Sequence, residues 1–294
     1  MSENIIIIPI YNDWKSLNKL LLEINRSIND SDLYKILIVD DCSTVNYNIE
    51  YKNLNKIYEI KILSLKQNLG SQKSISIALN YLKNQKERFY ITIMDGDGED
   101  NPLEIKNMIK IAELNPEYVV TSHRKDRNEN FFIKFSYKLH LLISFIFTWH
   151  WISFGNFSCF SSKNLTKLNF NDVWYAHSAG VLKNCKIKKL YASRQKRYFE
   201  NSKVNFVQLV EHSFRIISVF YKRVLISSFL ITLIIWIFSS NLDLILYVLI
   251  FLLNLIIMIV KLKNYKKKSI NLNSFIKKVE ILWLQLLLNY LKPI

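Results

Sequence analysis

The chain has 294 residues, of which 50% are apolar and 14% aromatic, enough to bury a full hydrophobic core and to exclude a disordered tail. Its formal charge of +16 is uneven: residues 1–100 carry 12 Lys and Arg against 14 Asp and Glu, and residues 101–294 carry 28 against 10. A basic second part is typical of proteins that bind nucleic acid, an anionic membrane surface or a phosphorylated substrate. Three scattered cysteines without CxxC spacing argue against a disulfide framework or a zinc site.

The first part of the chain alternates strands and helices. "NIIIIPIYND" is an apolar strand that ends in a polar turn, and "SLNKLLLEINRSI" follows with apolar residues at helical spacing. "YKILIVDDCST" and "RFYITIMDGDGED" repeat the strand with an acidic end, and "PLEIKNMIKIAEL" begins a helix at Pro102. This alternation predicts an α/β fold with a mainly parallel sheet. Ligands bind such sheets at the carboxyl ends of the strands, so the polar turns at 11–13, 40–43 and 95–101 are expected to converge on one pocket.

Two apolar runs, Val224–Leu242 and residues 244–260, lie near the C-terminus. Each is long enough to cross a hydrocarbon core of about 30 Å as a helix. Lys and Arg flank the pair and are absent from the turn between the runs, so the positive-inside rule predicts a hairpin with both ends in the cytoplasm. The alternative is a buried helical pair in a soluble core. The acidic start "MSENIIIIPIYND" is unlike a secretory signal, and the N-terminal domain is therefore expected in the cytoplasm.

Two further segments, "FFIKFSYKLHLLISFIFTWHWISF" and "VNFVQLVEHSFRIISVFYKR", combine an apolar stripe with basic and polar residues, a pattern that predicts helices lying along a membrane surface. "SFIKKVEILWLQLLLNYL" is expected to rest on the same surface. The predicted organisation is a catalytic domain at 1–203, a juxtamembrane amphipathic helix at 204–223, a transmembrane hairpin at 224–260 and a basic cytoplasmic C-terminal segment at 261–294.

The acidic turn after the strand "YITIM" is the main candidate for chemistry. Asp95 and Asp97 can direct two carboxylates at one hard cation, Mg²⁺ or Mn²⁺, and Glu99 can supply a third oxygen. Such a cation would act as a Lewis acid on a departing nucleoside diphosphate. Asp40 and Asp41 can accept hydrogen bonds from a nucleobase or ribose, and "PIYND" supplies a ring and a carboxylate to flank the base. Taken singly, each turn also fits a solvated, helix-capping role; three together favour a site.

Six segments, in order, resemble the motif series of family 2 glycosyltransferases with the GT-A fold: "IIIIPIYND", "ILIVDDCST", "QNLGSQKSISIAL", "MDGDGEDNP", "SHRKDR" and "RQKRYFENSK". The particular similarity is to membrane-anchored polyprenyl-phosphate (dolichyl-phosphate-type) mannose and glucose synthases, over about residues 4–222. The fold that this resemblance implies is a GT-A (Rossmann-like) domain followed by interfacial helices and a C-terminal two-helix hairpin.

The resemblance also implies roles for individual residues. The nucleotide would be held by Pro9, Tyr11, Asp13, Asp40, Asp41 and Asp95, the metal by Asp95, Asp97 and Glu99, and the phosphates by Arg124, Arg127, Arg194, Arg197, Ser202 and Lys203. Of these, Asp97, Arg124, Arg127 and Arg197 would act directly in catalysis. A basic surface facing anionic lipid is the alternative interpretation of the arginine-rich segment.

Two departures from the family pattern stand out. Glu99 replaces a usual glutamine, and Glu200 stands where the family usually has glycine. Many relatives with hydroxyl acceptors keep a catalytic base after the position of Trp151, where this chain offers only Asp172 and His177. A sugar hydroxyl must lose its proton during attack, whereas a lipid phosphate is already ionised. The missing base favours a phosphate acceptor, although a lone histidine as base keeps the other case open.

The leading hypothesis is an inverting glycosyltransferase at the cytoplasmic face of a bacterial inner membrane, moving a hexose from a UDP- or GDP-linked sugar to a polyprenyl phosphate. The alternative enzyme adds the sugar to a hydroxyl of a lipid-linked glycan in surface polysaccharide biosynthesis. A non-catalytic scaffold is a third hypothesis. Nucleic-acid binding would leave the hairpin and the acidic turns unexplained, and no GxxxxGK[ST] loop is present. The expected partners are the donor, the lipid-linked acceptor, the bilayer and a second copy of the chain; the sugar itself is left open.

Overall fold

The computed structural model describes residues 3–29, 32–47, 49–50, 53–85, 87–124, 131–199, 206–238, 243–265 and 271–284. The strands in these residues are β1 (Glu3–Ile10), β2 (Leu33–Asp40), β3 (Ile57–Leu65), β4 (Phe89–Ile93), β5 (Tyr118–Arg124), β6 (Phe154–Ser161), β7 (Lys186–Ala192) and β8 (Ile276–Leu284). The helices are α1 (Trp14–Ser27), α2 (Ser71–Leu82), α3 (Ile105–Leu114), α4 (Phe131–Thr148), α5 (Phe170–Tyr175), α6 (His177–Asn184), α7 (Phe206–Val219), α8 (Tyr221–Phe238) and α9 (Asp243–Tyr265).

The strands form one sheet in the order β7-β5-β6-β4-β1-β2-β3-β8. Only β6 and β8 run antiparallel to their described neighbours, so the predicted α/β fold with a mainly parallel sheet is confirmed. β1 lies in the middle and is buried on both faces, which explains its unbroken apolar sequence. Ile6 and Ile8 pack in one core with α1 and α3, and Ile5 and Ile7 pack in a second core with α2, α5 and α6.

The C-terminal segment differs from its expected place on a membrane surface. Residues 276–284 form β8, which pairs antiparallel with β3 at the edge of the sheet. The Tyr47 hydroxyl donates to a Glu280 carboxylate oxygen at 2.8 Å and ties β8 to the loop after β2. The free edge of β3 offers unpaired backbone groups, and a strand that returns from far along the chain satisfies them. The catalytic domain therefore includes residues from both ends of the described chain.

Two strongly apolar helices, α8 and α9, precede β8 in the chain. α9 is long and apolar enough to cross a membrane over Leu244–Leu262, with mean hydropathy 2.8, and 6% of that stretch is buried. This low burial argues against a soluble core helix. α7 and α8 meet the same criterion only when taken together, and they are bent by 91° to one another. α8 packs against α9, where the Ser228 hydroxyl donates to the Asn254 side-chain oxygen at 3.3 Å. The two-helix transmembrane hairpin stays a prediction.

The helices predicted at a membrane surface are present as α4 and α7. α7 packs through Ile216 and Val219 against Tyr175 and Ala179 of α5 and α6, so it is fixed to the catalytic domain. The guanidinium of Arg223, in the first turn of α8, donates to the carbonyl of Thr148 at the end of α4 at 3.1 Å. A cation there satisfies a carbonyl that the helix itself leaves free. α4, α7 and α8 thus form one connected group beside the sheet.

Candidate active site

Three polar turns meet at the carboxyl edge of the central strands, as the sequence predicts. β1 pairs with β2 and with β4, and this pairing brings the ends of all three strands together. Asn12, with φ of 57°, links the first two turns: its side-chain oxygen accepts from the backbone N–H groups of Thr44 and Val45 at 2.8 and 3.2 Å. Gly96 in the third turn lies so close to β1 that an added Cβ would sit 3.3 Å from the Pro9 carbonyl oxygen. The three turns form one continuous surface.

The turn after β1 presents an aromatic ring and a capping carboxylate. The Tyr11 side chain is 45% exposed, unusual for a tyrosine next to a buried strand. A carboxylate oxygen of Asp13 accepts from the Ser16 N–H at 3.2 Å and caps α1. An exposed ring beside a carboxylate suits a planar base, which can stack on the ring.

The acidic pair after β2 has two different environments. One oxygen of Asp40 accepts from the Ser43 N–H at 2.9 Å. The two oxygens of Asp41 accept from the N–H groups of Leu69 and Gly70 at 2.8 and 2.7 Å. Gly70 has φ of +88°, and its position before α2 therefore favours glycine. Asp41 therefore holds this loop in place, and the predicted nucleotide contacts of Asp40 and Asp41 stay predictions.

Asp95 and Asp97 lie in the turn after β4. An Asp95 side-chain oxygen accepts from the Asn156 amide at 2.9 Å, and an Asp97 oxygen accepts from the Glu99 N–H at 3.0 Å. Burial raises the pKa of Asp95 well above its ordinary value, and the charge of Asp97 raises it further. Burial also raises the pKa of Asp97, and the Arg197 guanidinium partly opposes that shift. Both carboxylates are partly buried, and a divalent cation would relieve the repulsion between them.

The arginines of the sequence motif lie directly on this turn. Arg197 forms an ion pair with Asp97 at 2.7 Å, and its Nε donates to Glu99 at 3.3 Å. Arg194 pairs with the other oxygen of Glu99. The backbone runs along the turn as well, because the Gln195 and Tyr198 N–H groups donate to the carbonyls of Glu99 and Asp97 at 2.9 and 3.1 Å. We call residues 194–198 the arginine strap.

The arginine strap approaches the turn closely at one glycine. A Cβ on Gly98 would lie 2.3 Å from the Tyr198 ring, and the φ of this glycine is +84°. Both the space and the backbone angle exclude other residues. The Tyr198 hydroxyl donates to Glu23 of α1, and the Lys19 ammonium lies 4.3 Å from the centre of the same ring. Tyr198 therefore anchors the strap on the side of the site formed by α1.

The predicted metal ligands fit a divalent cation in part. Asp95 and Asp97 lie in the same turn and offer carboxylate oxygens. Mg²⁺ or Mn²⁺ bound by two carboxylates normally completes its shell with water and substrate phosphates. Within the described residues, no three His, Cys, Asp or Glu side chains converge on a common centre. The expected third ligand, Glu99, is held by Arg194 and Arg197. The geometry supports a two-carboxylate site and assigns Glu99 to the arginines.

Some predicted phosphate-binding residues cannot be placed. Arg124 ends β5, opposite Ala192 of β7, and its backbone lies near the start of the strap. Its side chain, and the whole of Arg127, Ser202 and Lys203, lie outside the described residues, as does Glu200.

The two candidate bases are buried and have partners within the protein. Asp172 is 3% exposed and pairs with Lys183 at 3.0 Å. The His177 ring is fully buried; its Nε2 lies 2.8 Å from the Ser158 hydroxyl, and burial lowers its pKa to about 4. Neither group is placed to take a proton from a substrate. His177 is a core histidine.

Sequence reasoning missed two polar residues behind Asp95. Asn156, from β6, donates to Asp95, and Gln72, from α2, donates to the Asn156 side-chain oxygen at 2.9 Å. Gln72 stands inside the quoted motif "QNLGSQKSISIAL", but its identity gave no sign of its partner. An amide side chain inside the largely buried strand "FGNFSCFS" was the available signal for Asn156.

With this geometry in place, comparison with known proteins identifies the class. The chain belongs to glycosyl transferase family 2, whose model matches residues 5–172, more than half of the 294-residue chain. It is therefore a glycosyltransferase that uses a nucleotide sugar, and the family recognised from the motifs is confirmed. No curated protein sequence matches the chain.

Solved structures agree on the GT-A fold. Glucosyl-3-phosphoglycerate synthase from Mycobacterium tuberculosis, in complex with phosphoglyceric acid, matches with a TM-score of 0.52 and 14% identity, over 76% of this chain and 80% of that one. A structure of that enzyme with Mn²⁺ and UDP-glucose matches with a TM-score of 0.50 and 13% identity, over 76% and 79%. TarS residues 1–349 from S. aureus, with UDP-GlcNAc, gives a TM-score of 0.47 at 19% identity, over 78% and 70%. At these identities the first two similarities establish the fold alone.

Proposed function

We propose that this glycosyltransferase moves a hexose from a UDP- or GDP-linked sugar to a polyprenyl phosphate, with inversion, at the cytoplasmic face of a bacterial inner membrane. One observation carries the choice of acceptor. Arg194 and Arg197 lie on the acidic turn, whereas the side chains of the candidate bases Asp172 and His177 are buried in the core. A hydroxyl acceptor needs a base to take its proton, and a phosphate acceptor needs only cations to receive it.

The donor would lie across the three polar turns. The base stacks on the exposed ring of Tyr11, and Asp40 and Asp13 accept hydrogen bonds from the base or ribose. Pro9 lies near the end of β1 beneath them, and its carbonyl lies close to Gly96. The diphosphate then extends towards Asp95 and Asp97, the only direction in which it meets both paired carboxylates and arginines among the described residues.

The proposed cofactor is Mg²⁺ or Mn²⁺, held by Asp95 and Asp97. It would neutralise the charge that develops on the leaving nucleoside diphosphate. The structure of the M. tuberculosis enzyme with Mn²⁺ and UDP-glucose supports a divalent cation for a protein of this fold. The chain's own part is to keep two carboxylates in a buried turn, where their pKa values are raised in the absence of a cation.

The arginine strap would change partners when the donor binds. Arg197 pairs with Asp97, and Arg194 and Arg197 both pair with Glu99. A cation at Asp97 removes the reason for its ion pair, and the planar guanidinium of Arg197 is then available for bidentate binding of a phosphate. Glu99 remains as the partner that keeps Arg194 beside the site. Charge placed in advance where the transition state develops charge is the largest usual contribution to such catalysis.

The apolar helices would bring the acceptor to the same edge. We propose that α8 and α9 form the membrane hairpin and that α4 and α7 lie along the bilayer surface. α4 exposes Leu142, Phe145 and Ile146, and the Phe145 ring stacks on Trp151 at 4.9 Å between ring centres. Aromatic side chains are enriched at membrane–water interfaces. Because α7 also packs on α5 and α6, a membrane surface at these helices would have a fixed distance to the site.

A transfer assay tests this function. Purified full-length protein in detergent is incubated with undecaprenyl phosphate, Mg²⁺ or Mn²⁺, and a panel of radiolabelled UDP- and GDP-sugars, beside the Asp97→Asn variant. A labelled lipid that mild acid cleaves, absent with the variant, would support the phosphate acceptor and name the sugar. Donor binding that EDTA abolishes, without any lipid product, would contradict the phosphate acceptor and favour the hydroxyl of a lipid-linked glycan.

A further inference from the structure

A closed ring of hydrogen bonds lies behind Asp95. The backbone N–H of His177 donates to the Gln72 side-chain oxygen at 2.6 Å, and the Gln72 amide donates to the Asn156 side-chain oxygen at 2.9 Å. Ser158 closes the ring, because its hydroxyl donates to the Asn156 carbonyl at 3.0 Å and lies 2.8 Å from the His177 ring. The Asn156 amide points out of the ring and donates to Asp95 at 2.9 Å.

The backbone N–H of His177 fixes the direction of the hydrogen bonds in this ring. A backbone N–H can only donate, so Gln72 must present its oxygen to His177 and its amide nitrogen to Asn156. Asn156 must then accept with its oxygen, and only its nitrogen is left for Asp95. A carboxylate can only accept, so the last bond agrees with the first. Every member has one assignment that satisfies all its neighbours.

The ring also holds its members rigidly. α6 begins at His177 without a capping side chain of its own, and Gln72 supplies the acceptor that its first N–H needs. With the Ser158 hydroxyl proton on the Asn156 carbonyl, the neutral His177 tautomer that fits is the one that donates from Nε2. Ser158 and His177 are both fully buried. Gln72 therefore holds the side chain of Asn156, and Ser158 holds its backbone.

We infer that Gln72 and Asn156 are positioning residues that orient the Asp95 carboxylate for the cation. This inference rests on the proposed function, in which Asp95 binds the metal. The Asn156 amide holds one oxygen of Asp95, which leaves the second oxygen for the cation. Hydrogen-bond partners of metal-binding side chains typically contribute about 10- to 100-fold in metal affinity. Gln72 makes no described bond to Asp95, so its effect passes through Asn156.

The decisive variant is Gln72→Glu, which keeps the shape and reverses one bond. A glutamate there still accepts from the His177 N–H, but it cannot donate to Asn156. The Asn156 amide must then turn its nitrogen towards residue 72 and its oxygen towards Asp95. We expect Mn²⁺ alone, measured by electron paramagnetic resonance with the full chain in detergent, to bind about 10-fold or more weakly. Asn156→Ala should give a similar loss, and it serves as the second variant if the first fails to fold.

A matched control lies on the same helix. Asn80 donates to the Asn273 side-chain oxygen at 2.9 Å, and Asn80→Asp makes the same donor-to-acceptor change away from the ring. We expect unchanged Mn²⁺ binding in this control. In an Asn156→Ala background, Gln72→Glu should add less than about twofold, because the path through Asn156 is already cut.

The outcomes separate the inference from the proposed function. If Mn²⁺ does not bind the wild-type chain, or if Asp95→Asn binds it equally well, the metal site itself is wrong. If Asp95→Asn loses binding but Gln72→Glu and Asn156→Ala keep wild-type affinity, the site stands and the positioning role is wrong. If the losses of Mn²⁺ affinity multiply in the Gln72→Glu, Asn156→Ala double variant, the positioning role of Gln72 is also wrong, because Gln72 would then not act through Asn156.

Discussion

Two acidic turns that each follow a strand of the sheet have different roles in this protein. Asp41, after β2, gives both oxygens to backbone N–H groups of the loop before α2. Asp97, after β4, has an arginine side chain on one oxygen and one N–H of its own turn on the other. Backbone groups cannot leave without unfolding the loop, whereas a guanidinium can swing to a phosphate. The partner of a carboxylate therefore distinguishes a structural acid from one that can exchange ligands.

The largest effect is expected from substitution of Asp97, whose arginine partner can be exchanged for another ligand. Asp97→Asn removes a metal-binding charge, and transfer should fall by about 10³-fold or more, since one well-placed electrostatic group contributes that much. Transfer in metal-containing buffer measures it. The melting temperature should not fall, because the change also removes repulsion between two partly buried carboxylates. Full activity in this variant would remove the metal assignment.

Removing the arginine should have the next largest effect. Arg197→Ala is expected to lower kcat by about 10- to 100-fold, because a charge-assisted phosphate contact contributes about 1.5–3 kcal/mol. Donor affinity should change little, since the contact of Arg197 with the phosphate strengthens only as charge develops in the transition state. Arg197→Lys should recover only part of the rate, because lysine lacks the bidentate geometry. Equal losses in kcat and in donor binding would place Arg197 on the donor alone.

Substitution of Asp41 should have the opposite effect: it should lower stability and leave metal binding unchanged. Asp41→Asn places an amide against the Gly70 N–H, and we expect the free energy of unfolding to fall by about 1–3 kcal/mol. Thermal melting in detergent measures this loss, with Asn80→Asp as a control for one altered hydrogen bond on α2. The Mn²⁺ affinity of the folded fraction should equal that of wild type. Weaker Mn²⁺ binding at unchanged stability would reverse the roles of the two turns.

The smallest effect is expected at Asp40. Asp40→Asn keeps the shape and an acceptor for the Ser43 N–H, so the fold should be unchanged. The donor should bind about 10-fold more weakly at most, the effect of one hydrogen bond to a charged group. Titration with unlabelled UDP and GDP checks this, and unchanged affinity for both would take Asp40 out of the nucleotide site.

Local sequence patterns were sufficient to predict the α/β fold of this protein. The unbroken isoleucines of β1, the acidic strand ends and the helical spacing of α1, α3 and α7 are all visible within a few residues of sequence. Parallel strands then place their ends at one edge by geometry alone, so the meeting of the three turns followed from the same patterns. Asp97 and Arg197, which pair in the structure, could also be singled out from the sequence because they stand inside recognisable motifs.

The remaining features depend on contacts between distant parts of the chain. Asp41 meets Gly70 across 29 positions, Asn156 meets Asp95 across 61, and His177 meets Gln72 across 105. No periodicity reports such pairs. For the same reason β8 was expected at a membrane surface, since only the free edge of β3 decides that this segment becomes a strand.

The sequence by itself determined the α/β frame, the site at the carboxyl edge and the apolar helices, because hydrophobic spacing and turn chemistry act over short distances. Only the tertiary structure decided how each polar group is used. In the folded chain Asp41 accepts hydrogen bonds from a loop, Glu99 pairs with the arginines and His177 lies in the core. Gln72 and Asn156 lie behind Asp95. A buried polar group is defined by the partner that satisfies it, and that partner is fixed only when the chain has folded.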